Sequence, residues 1–389
     1  MPIDDTDNLL PDNDTIRRRI RARFGVRSTE AFELLSAIGR DCVGAVQLLP
    51  VDETPHDIRK VEYQRLSDAE VERILREIVV TPAFGVRDSV SDFRISIAGA
   101  QEKTALLWFD GGWCKPLDAT PTTHILKLPL GKVTKVDADF STSVENEWLC
   151  AQIVRELGLD VAETAMARFG DQSVLVVERF DRVRVDDARG RRHPYLIRLP
   201  QEDMCQATGT PPAHKYENDK GPGMLQCLEV LGSAESPHES RLHFALAQLA
   251  FWLLAAPDGH AKNFSVFINA GGSYTHTPLY DVLSAWPVIG KRAHQLPYQE
   301  AGLAMAIRSK NAHYKFGEID VRHWRHLALT TGGEPAWSAM LQMVQQVEPV
   351  LARVSARLPR DFPAQVWETI SRGTQDHGRK FLRGAAALA

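Results

Sequence analysis

The run ESRLHFALAQLAFWLLAA, residues 239–256, patterns as one strongly apolar helix, and it leads directly into a crowded polar junction, AAPDGHAKNFSVF at 255–267. Asp258 stands between that helix and a strand-like apolar run, and Asn263 follows five positions later. Buried or half-buried polar groups need partners. A junction holding Asp, His, Lys and Asn is therefore either a hydrogen-bonded loop or a reactive site.

At 389 residues the chain is long enough for two domains or one two-lobed body, because single cores rarely grow past roughly 250–300 residues. A formal charge of -4 supplies no global affinity for polyanions, which argues against nucleic acid as the main ligand. No apolar run approaches the roughly 20 residues a membrane span needs, and the start MPIDDTDNLLPDND is acidic where a signal peptide is basic. A cytoplasmic protein without membrane partners is expected. The five cysteines (Cys42, Cys114, Cys150, Cys205, Cys227) lack CxxC spacing, so reduced thiols are expected and zinc is not. His323 and His326 in HWRH share helical spacing but have no third ligand nearby, and a solvated helix face is the simpler account.

Residues 12–40 pattern as helix, with Asp or Ser caps and stops at Gly25 and Gly39. Their basic stretch RRRIRAR reads as a solvated face. CVGAVQLLP is expected to be a strand, and 67–79 a helix opened by the capping box SDAE. DFRISIAGAQEKTALLWFDGGWCKP reads as β-hairpins, THILKLP (123–129) as a strand, SVENEWLCAQIVRELGL as a helix and QSVLVVE (172–178) as a buried strand. NFSVFINAGGSYTHTPLYDVLSA is strand, Gly-Gly turn, strand, ending at Asp281, while 320–358 and 363–383 are mostly helical. Residues 183–223, rich in Arg, Pro, Gly and Asp, are expected to be one long irregular segment. The fold class is α+β. A mainly antiparallel β lobe with helices is expected over 1–182 and a mainly helical lobe over 183–389.

Protein kinases place a base Asp and, five residues on, a magnesium-binding Asn; a second magnesium-binding Asp follows after a short hairpin. Asp258, Asn263 and Asp281 have that arrangement. Phosphoryl transfer needs a cation bridging the phosphates and a carboxylate that accepts the nucleophile's proton, and carboxylate and amide oxygens are hard ligands suited to Mg²⁺. His260 is expected to order the loop and Lys262 to meet the transferring phosphate. Upstream, in the order a kinase requires, come the hairpin loop SIAGAQEK, Lys127 in HILKLP, and Glu145 or Glu147 in VENEWL. VVERFDR sits where an inter-lobe hinge belongs, with backbone groups of Glu178 and Phe180 for adenine and Asp181 for a ribose hydroxyl. Each of these signals alone is weak; an Asp beside Arg179 and Arg182 is more simply a surface ion pair.

The stretches DNLLPD, LLSAIGRDCVGAV, DFRISIAGAQEKTALL, PTTHILKLP, VERFDR, LPQEDMCQ, KYENDKGPG, DGHAKNFSVF and PLYDVLSAWPV, in this order, make the chain resemble the HipA-type toxin kinases of bacterial toxin–antitoxin systems. The resemblance implies a protein serine/threonine kinase with a protein-kinase-like fold and ATP and Mg²⁺ as cofactors. It implies Asp258 as base, Asn263 and Asp281 on magnesium, and Lys127 on the nucleotide phosphates. Ile97, Ala98, Gly99, Ala100 and Lys103 belong to the implied nucleotide-covering loop, and His260 and Lys262 to its surroundings. Ser96 is implied as an autophosphorylation site, where a dianionic group would repel ATP and switch the enzyme off. The implied target class is an aminoacyl-tRNA synthetase, and the implied partner a small helix-turn-helix antitoxin that alone touches DNA. The resemblance implies a further β-rich subdomain ahead of the DNLLPD segment, which here begins at residue 7, so the expectation is either a separate small protein replacing it or a sequence whose start is misassigned. Two other functions compete: a silent kinase-fold corepressor on an antitoxin, against which the intact Asp258, Asn263, Asp281 and Lys127 argue, and a small-molecule kinase.

Overall fold

The computed structural model describes residues 6–49, 51, 59–79, 101–133, 138–186 and 193–388. In chain order the elements are α1 (Asp14–Phe24), α2 (Ala31–Ile38), β1 (Tyr63–Arg65), α3 (Asp68–Val79), β2 (Lys103–Phe109), β3 (Gly112–Pro116), β4 (His124–Lys127), β5 (Gly131–Val133), β6 (Ala138–Phe140) and α4 (Ser143–Glu156). Then follow β7 (Thr164–Phe169), β8 (Gln172–Glu178), β9 (Arg182–Val185), β10 (Tyr195–Arg198), β11 (Gln201–Asp203), α5 (Met204–Ala207), α6 (Met224–Leu231) and α7 (Pro237–Leu253). Last come β12 (Ser265–Ile268), β13 (Tyr274–His276), β14 (Gly302–Arg308), β15 (Ala312–Lys315), α8 (Val321–Gln345), α9 (Val347–Ser355) and α10 (Ala364–Ala386).

The chain divides into two compact units. The first takes 1–129, 163–202 and 211–213; the second takes 130–162, 203–210 and 214–389. Residues 130–162, including α4, therefore group with the helical unit, whereas the sequence alone assigns them to the β lobe. α4 goes there because Leu149, Cys150, Ile153 and Val154 are buried in the second unit's core.

In the first unit one antiparallel sheet runs in the order β1-β3-β2-β4-β8-β7. β2 and β3 form a tight hairpin because Asp110 (φ 47°) and Gly111 (φ 75°) adopt the two left-handed conformations that match strand twist. α3 covers the sheet with Val71, Ile74 and Leu75 against Leu106, Leu126, Val174 and Val176. Its start is the expected capping box: Ser67 Oγ accepts from the Glu70 N–H, and the Glu70 carboxylate accepts from the Ser67 N–H at 2.8 Å. α1 is capped by Asn13, whose side chain accepts from the Thr15 N–H at 2.8 Å. Leu9, Leu10, Leu34, Leu35 and Ile38 bury a small core of their own. CVGAVQLLP is not a strand; its described residues lie between elements, because the segment is held by side-chain partners described below rather than by a ladder. Nor are the described parts of 183–223 structureless: β9 and β10 pair as an antiparallel ribbon, and α5 carries its own Asp203–Gln206 capping box.

The second unit is built round α7. Phe244, Ala247, Leu249, Phe251, Trp252 and Leu253 are all buried, and the helix packs on α8 and α10. A helix apolar on every face is stable only at the centre of a core. α8 is broken at Gly332 and Gly333, just before Pro335. The β12–β13 hairpin appears as the alternation requires. A second hairpin, β14–β15, does not emerge from the periodicity argument, although Ser309-Lys310-Asn311 supplies a turn between two β-patterned runs. Among the described residues no helix is long and apolar enough to cross a membrane.

Candidate functional site

Asp258 follows the end of α7 through Ala255, which itself takes φ 46°. The five-residue spacing to Asn263 has a local cause: the Asp258 carbonyl accepts both the His260 N–H at 2.9 Å and the Asn263 Nδ2–H at 2.6 Å. The loop is thereby closed on itself, and a 3-10 turn over Ala261–Asn263 carries it into β12. Gly259 is required by contact, since a Cβ there would lie 2.6 Å from the Phe251 ring. His260, Lys262 and Asn263 are buried, while the Asp258 side chain is 52% exposed.

Asp281 is bracketed by ties to the same loop. Tyr280, its neighbour, donates its hydroxyl to the Lys262 carbonyl at 2.8 Å, one residue before Asn263. Three residues on, Ser284 Oγ donates to the Leu254 carbonyl at 2.6 Å, and the Ala285 N–H donates to the Ala255 carbonyl at 2.9 Å. Asp281 itself sits at φ 56°, a conformation Asp tolerates better than most residues. Burial drives the Tyr280 phenol well above its ordinary range, so it stays a neutral donor. From α4, Asn146 grips the Ser284 backbone twice, donating to its carbonyl at 2.8 Å and accepting its N–H at 3.0 Å. Glu147 beside it is buried and Glu145 is half-exposed.

For a magnesium ion the donor set fits. Because the Asn263 Nδ2 is committed to the Asp258 carbonyl, its Oδ1 is the atom that would serve as a hard ligand, and Asp281 would add a carboxylate from a segment tied to the same turn. Among the described residues no cluster of three or more His, Cys, Asp or Glu could hold a metal ion. Water and nucleotide oxygens would have to complete the shell, which is the usual habit of Mg²⁺.

In the first unit, Lys127 is buried in β4 and stands directly opposite Lys103 of β2. Residues so paired project from the same face with Cβ atoms roughly 5 Å apart. Ser96, Ile97, Ala98, Gly99 and Ala100 lie outside the described residues. The hinge expectation needs correcting at Asp181. The Glu178 N–H is taken by the Glu163 carbonyl at 2.9 Å, as strand pairing demands, so any adenine contact there would fall to its carbonyl. Asp181 neither faces a ribose nor forms a surface pair; it is buried and saturated. Its Oδ1 accepts from Arg179 Nε at 3.0 Å, and its Oδ2 from the Gly44 N–H and Arg179 Nη2, each at 2.8 Å, with Arg182 Nη1 also at 2.8 Å. Phe180 is half-buried.

Asp181 belongs to a buried ionic cluster. Asp41 accepts from Arg182 at 2.9 Å, from Arg198 Nε at 3.1 Å and from the Thr122 hydroxyl at 2.6 Å. Burial alone would raise the Asp41 carboxyl, but Arg182, Arg179 and Arg198 outweigh it and hold the group well below the usual carboxylate range. Arg182 is pushed down to about 10, mainly by burial. These contacts are what hold residues 41–44 in place of a strand ladder.

Sequence reasoning did not single out Tyr280, Asn146 or Tyr216. Tyr216 Oη donates to Asp258 Oδ1 at 2.6 Å. Its only signal is its place in KYENDKGPG, a polar run with no periodicity.

Residues 95–356 match the family model described as the HipA-like C-terminal domain, and residues 6–49 match the one described as the HipA N-terminal domain. A Sinorhizobium fredii protein named "Putative kinase Y4mE" is 33% identical over 329 residues, covering 83% of this chain and 71% of that protein. The serine/threonine-protein kinase toxin HipA of Shewanella oneidensis is 26% identical over 291 residues, which is 71% of this chain but 61% of the relative. Among solved structures, a chain of the Shewanella oneidensis toxin–antitoxin complex of HipA, HipB and operator DNA aligns with a TM-score of 0.78 at 22% identity, over 98% of this chain and 86% of that one. That likeness shows the fold, the kinase-like α+β fold.

Proposed function

Because the chain belongs to the HipA-type kinase family, we propose that it is an ATP- and Mg²⁺-dependent serine/threonine protein kinase that acts as a growth-arresting toxin. The observation that carries this is the double tie of the polar junction: the Asn263 amide on the Asp258 carbonyl and the Tyr280 hydroxyl on the Lys262 carbonyl. These ties put the candidate base and both candidate magnesium ligands on one braced scaffold inside the second unit. In the reaction the substrate hydroxyl oxygen bonds to the γ-phosphorus, the bond to the nucleoside diphosphate breaks, and Asp258 accepts the hydroxyl proton. Magnesium, when bound, neutralises charge on the phosphates. Lys127, with Lys103 opposite, is assigned the nucleotide phosphates, because two same-face lysines favour an anion between them.

The substrate we propose is an aminoacyl-tRNA synthetase, the partner a small helix-turn-helix antitoxin through which any DNA contact is made, with a further small protein as third component. The Shewanella relative's structure, which holds HipB and operator DNA, supports the antitoxin assignment. Inhibitory autophosphorylation at Ser96 completes the proposal. The test is phosphoproteomics of cells expressing this chain against an Asp258→Asn control. New phosphoserines on a synthetase and on Ser96 in the first culture alone are expected. Identical phosphoproteomes and equal growth would overturn the kinase assignment, and label appearing only in small metabolites would move it to a small-molecule kinase.

A further inference from the structure

The general base assigned above carries a phenol that none of the kinase parts calls for. Tyr216 Oη donates to Asp258 Oδ1 at 2.6 Å, a short bond of the charge-assisted kind. The Tyr216 ring stands edge-on to His260, centroids 4.9 Å apart, and His260 Nε2 lies 3.7 Å from the same Oδ1. Both neighbours thus approach one oxygen of a carboxylate that is otherwise half-exposed and would be free to rotate.

The segment bearing Tyr216 is anchored from both sides. The Lys215 carbonyl accepts the Ala261 N–H at 3.3 Å, and the Lys215 ammonium stands 5.3 Å from the centre of the Tyr216 ring. Next in sequence, the Glu217 carboxylate, nearly fully buried, accepts the Ala306 N–H of β14 at 2.6 Å and the Arg308 Nε at 3.0 Å. Behind it the Gly221 N–H returns to the Tyr216 carbonyl at 2.9 Å. Such a segment is a fixed post.

We propose that Tyr216 is a positioning residue for the phosphoryl-transfer base: its hydroxyl locks the Asp258 carboxylate in one orientation through Oδ1 and leaves Oδ2 to take the proton of the substrate hydroxyl, with Glu217 holding the tyrosine in register. This rests on the kinase assignment. The experiment is transfer of labelled phosphate from ATP to the proteins of a cell lysate by the full chain, with melting temperatures measured alongside. Tyr216→Phe, which keeps the ring on His260, is expected to lower the rate at saturating ATP by roughly 10- to 100-fold, the usual cost of a misaligned catalytic group. The ATP concentration for half-maximal rate and the melting temperature should stay at the wild-type values. Glu217→Gln should lose rate the same way, and the double variant should be no slower than the slower single one. A Tyr216→Phe rate within two-fold of wild type while Asp258→Asn is inactive overturns the role of Tyr216 and leaves the kinase assignment standing. So does a rate loss accompanied by a matching fall in melting temperature, which marks a merely structural tyrosine. If wild type transfers no more label than Asp258→Asn, both fall together. Should Glu217→Gln not fold, the Tyr216→Phe measurement alone decides.

Discussion

Two aspartates, one in each unit, meet opposite fates. Asp181 has a side chain 5% exposed and is surrounded by N–H donors from two arginines and the Gly44 backbone. Asp258 is 52% exposed and holds one phenol on one oxygen. A carboxylate buried among two fixed arginines and a backbone N–H braces the chain and is closed to a substrate. One held at a single oxygen is oriented and still able to accept a proton. Carboxylate chemistry is thus decided by how many donors reach it, and the residue type says little.

The contrast can be broken or sharpened by experiment. The largest effect expected is on rate: Asp258→Asn should cost about 10²- to 10⁴-fold in phosphate transfer, the usual contribution of a general base, with little change in melting temperature. A large fall in stability there would make Asp258 structural as well and erase the difference. Next comes Asp41→Asn in the buried cluster, which leaves Arg182 and Arg198 facing a neutral group and should destabilise the first unit by about 3–5 kcal/mol, read by denaturant titration. Asp181→Asn should behave likewise. If it instead weakened ATP binding at unchanged stability, the ribose role rejected above would return.

A third test concerns acid. His377 in α10 is buried, with Nδ1 on the Trp252 carbonyl and Nε2 on the Tyr298 hydroxyl, each at 2.7 Å, and burial pushes its titration down to about 3. The unfolded imidazole titrates near 6.5, so between about pH 6.5 and 3 only the unfolded state binds this proton. The contribution is complete above pH 6.5 and is lost on acidification at about 1.4 kcal/mol per pH unit. His377→Gln should flatten that slope in a melting-temperature series. An unchanged slope would mean that the imidazole is solvated. The smallest effect is Asn13→Ala, which removes the α1 cap and should cost about 1 kcal/mol, visible as a modest fall in melting temperature.

Much of this is spelled out by local patterns in the chain. The Ser67–Glu70 box, the Asp110-Gly111 turn and the apolar period of α7 each act over a few residues, and each appears where the chain spells it. The spacing of Asp258 and Asn263 was legible for the same reason, since a single carbonyl closes that turn. CVGAVQLLP misled because β-branched composition is only a prior; the segment is claimed by Arg179 and Arg182 from far along the chain. The β14–β15 hairpin carries a local signal, a polar turn between two β-patterned runs, that the periodicity argument passes over, whereas nothing within its own window distinguishes Tyr216 from loop.

What the sequence determined by itself was the set of helices, turns and strands set by near neighbours, and the order of kinase-like residues strung along them. Only the tertiary structure decided which acid is saturated and which is left half-open, that α4 serves the helical unit, and that a tyrosine 42 residues upstream touches Asp258. The physical reason is that burial and hydrogen-bond partners are sums over groups remote in the chain, and no local window contains those groups.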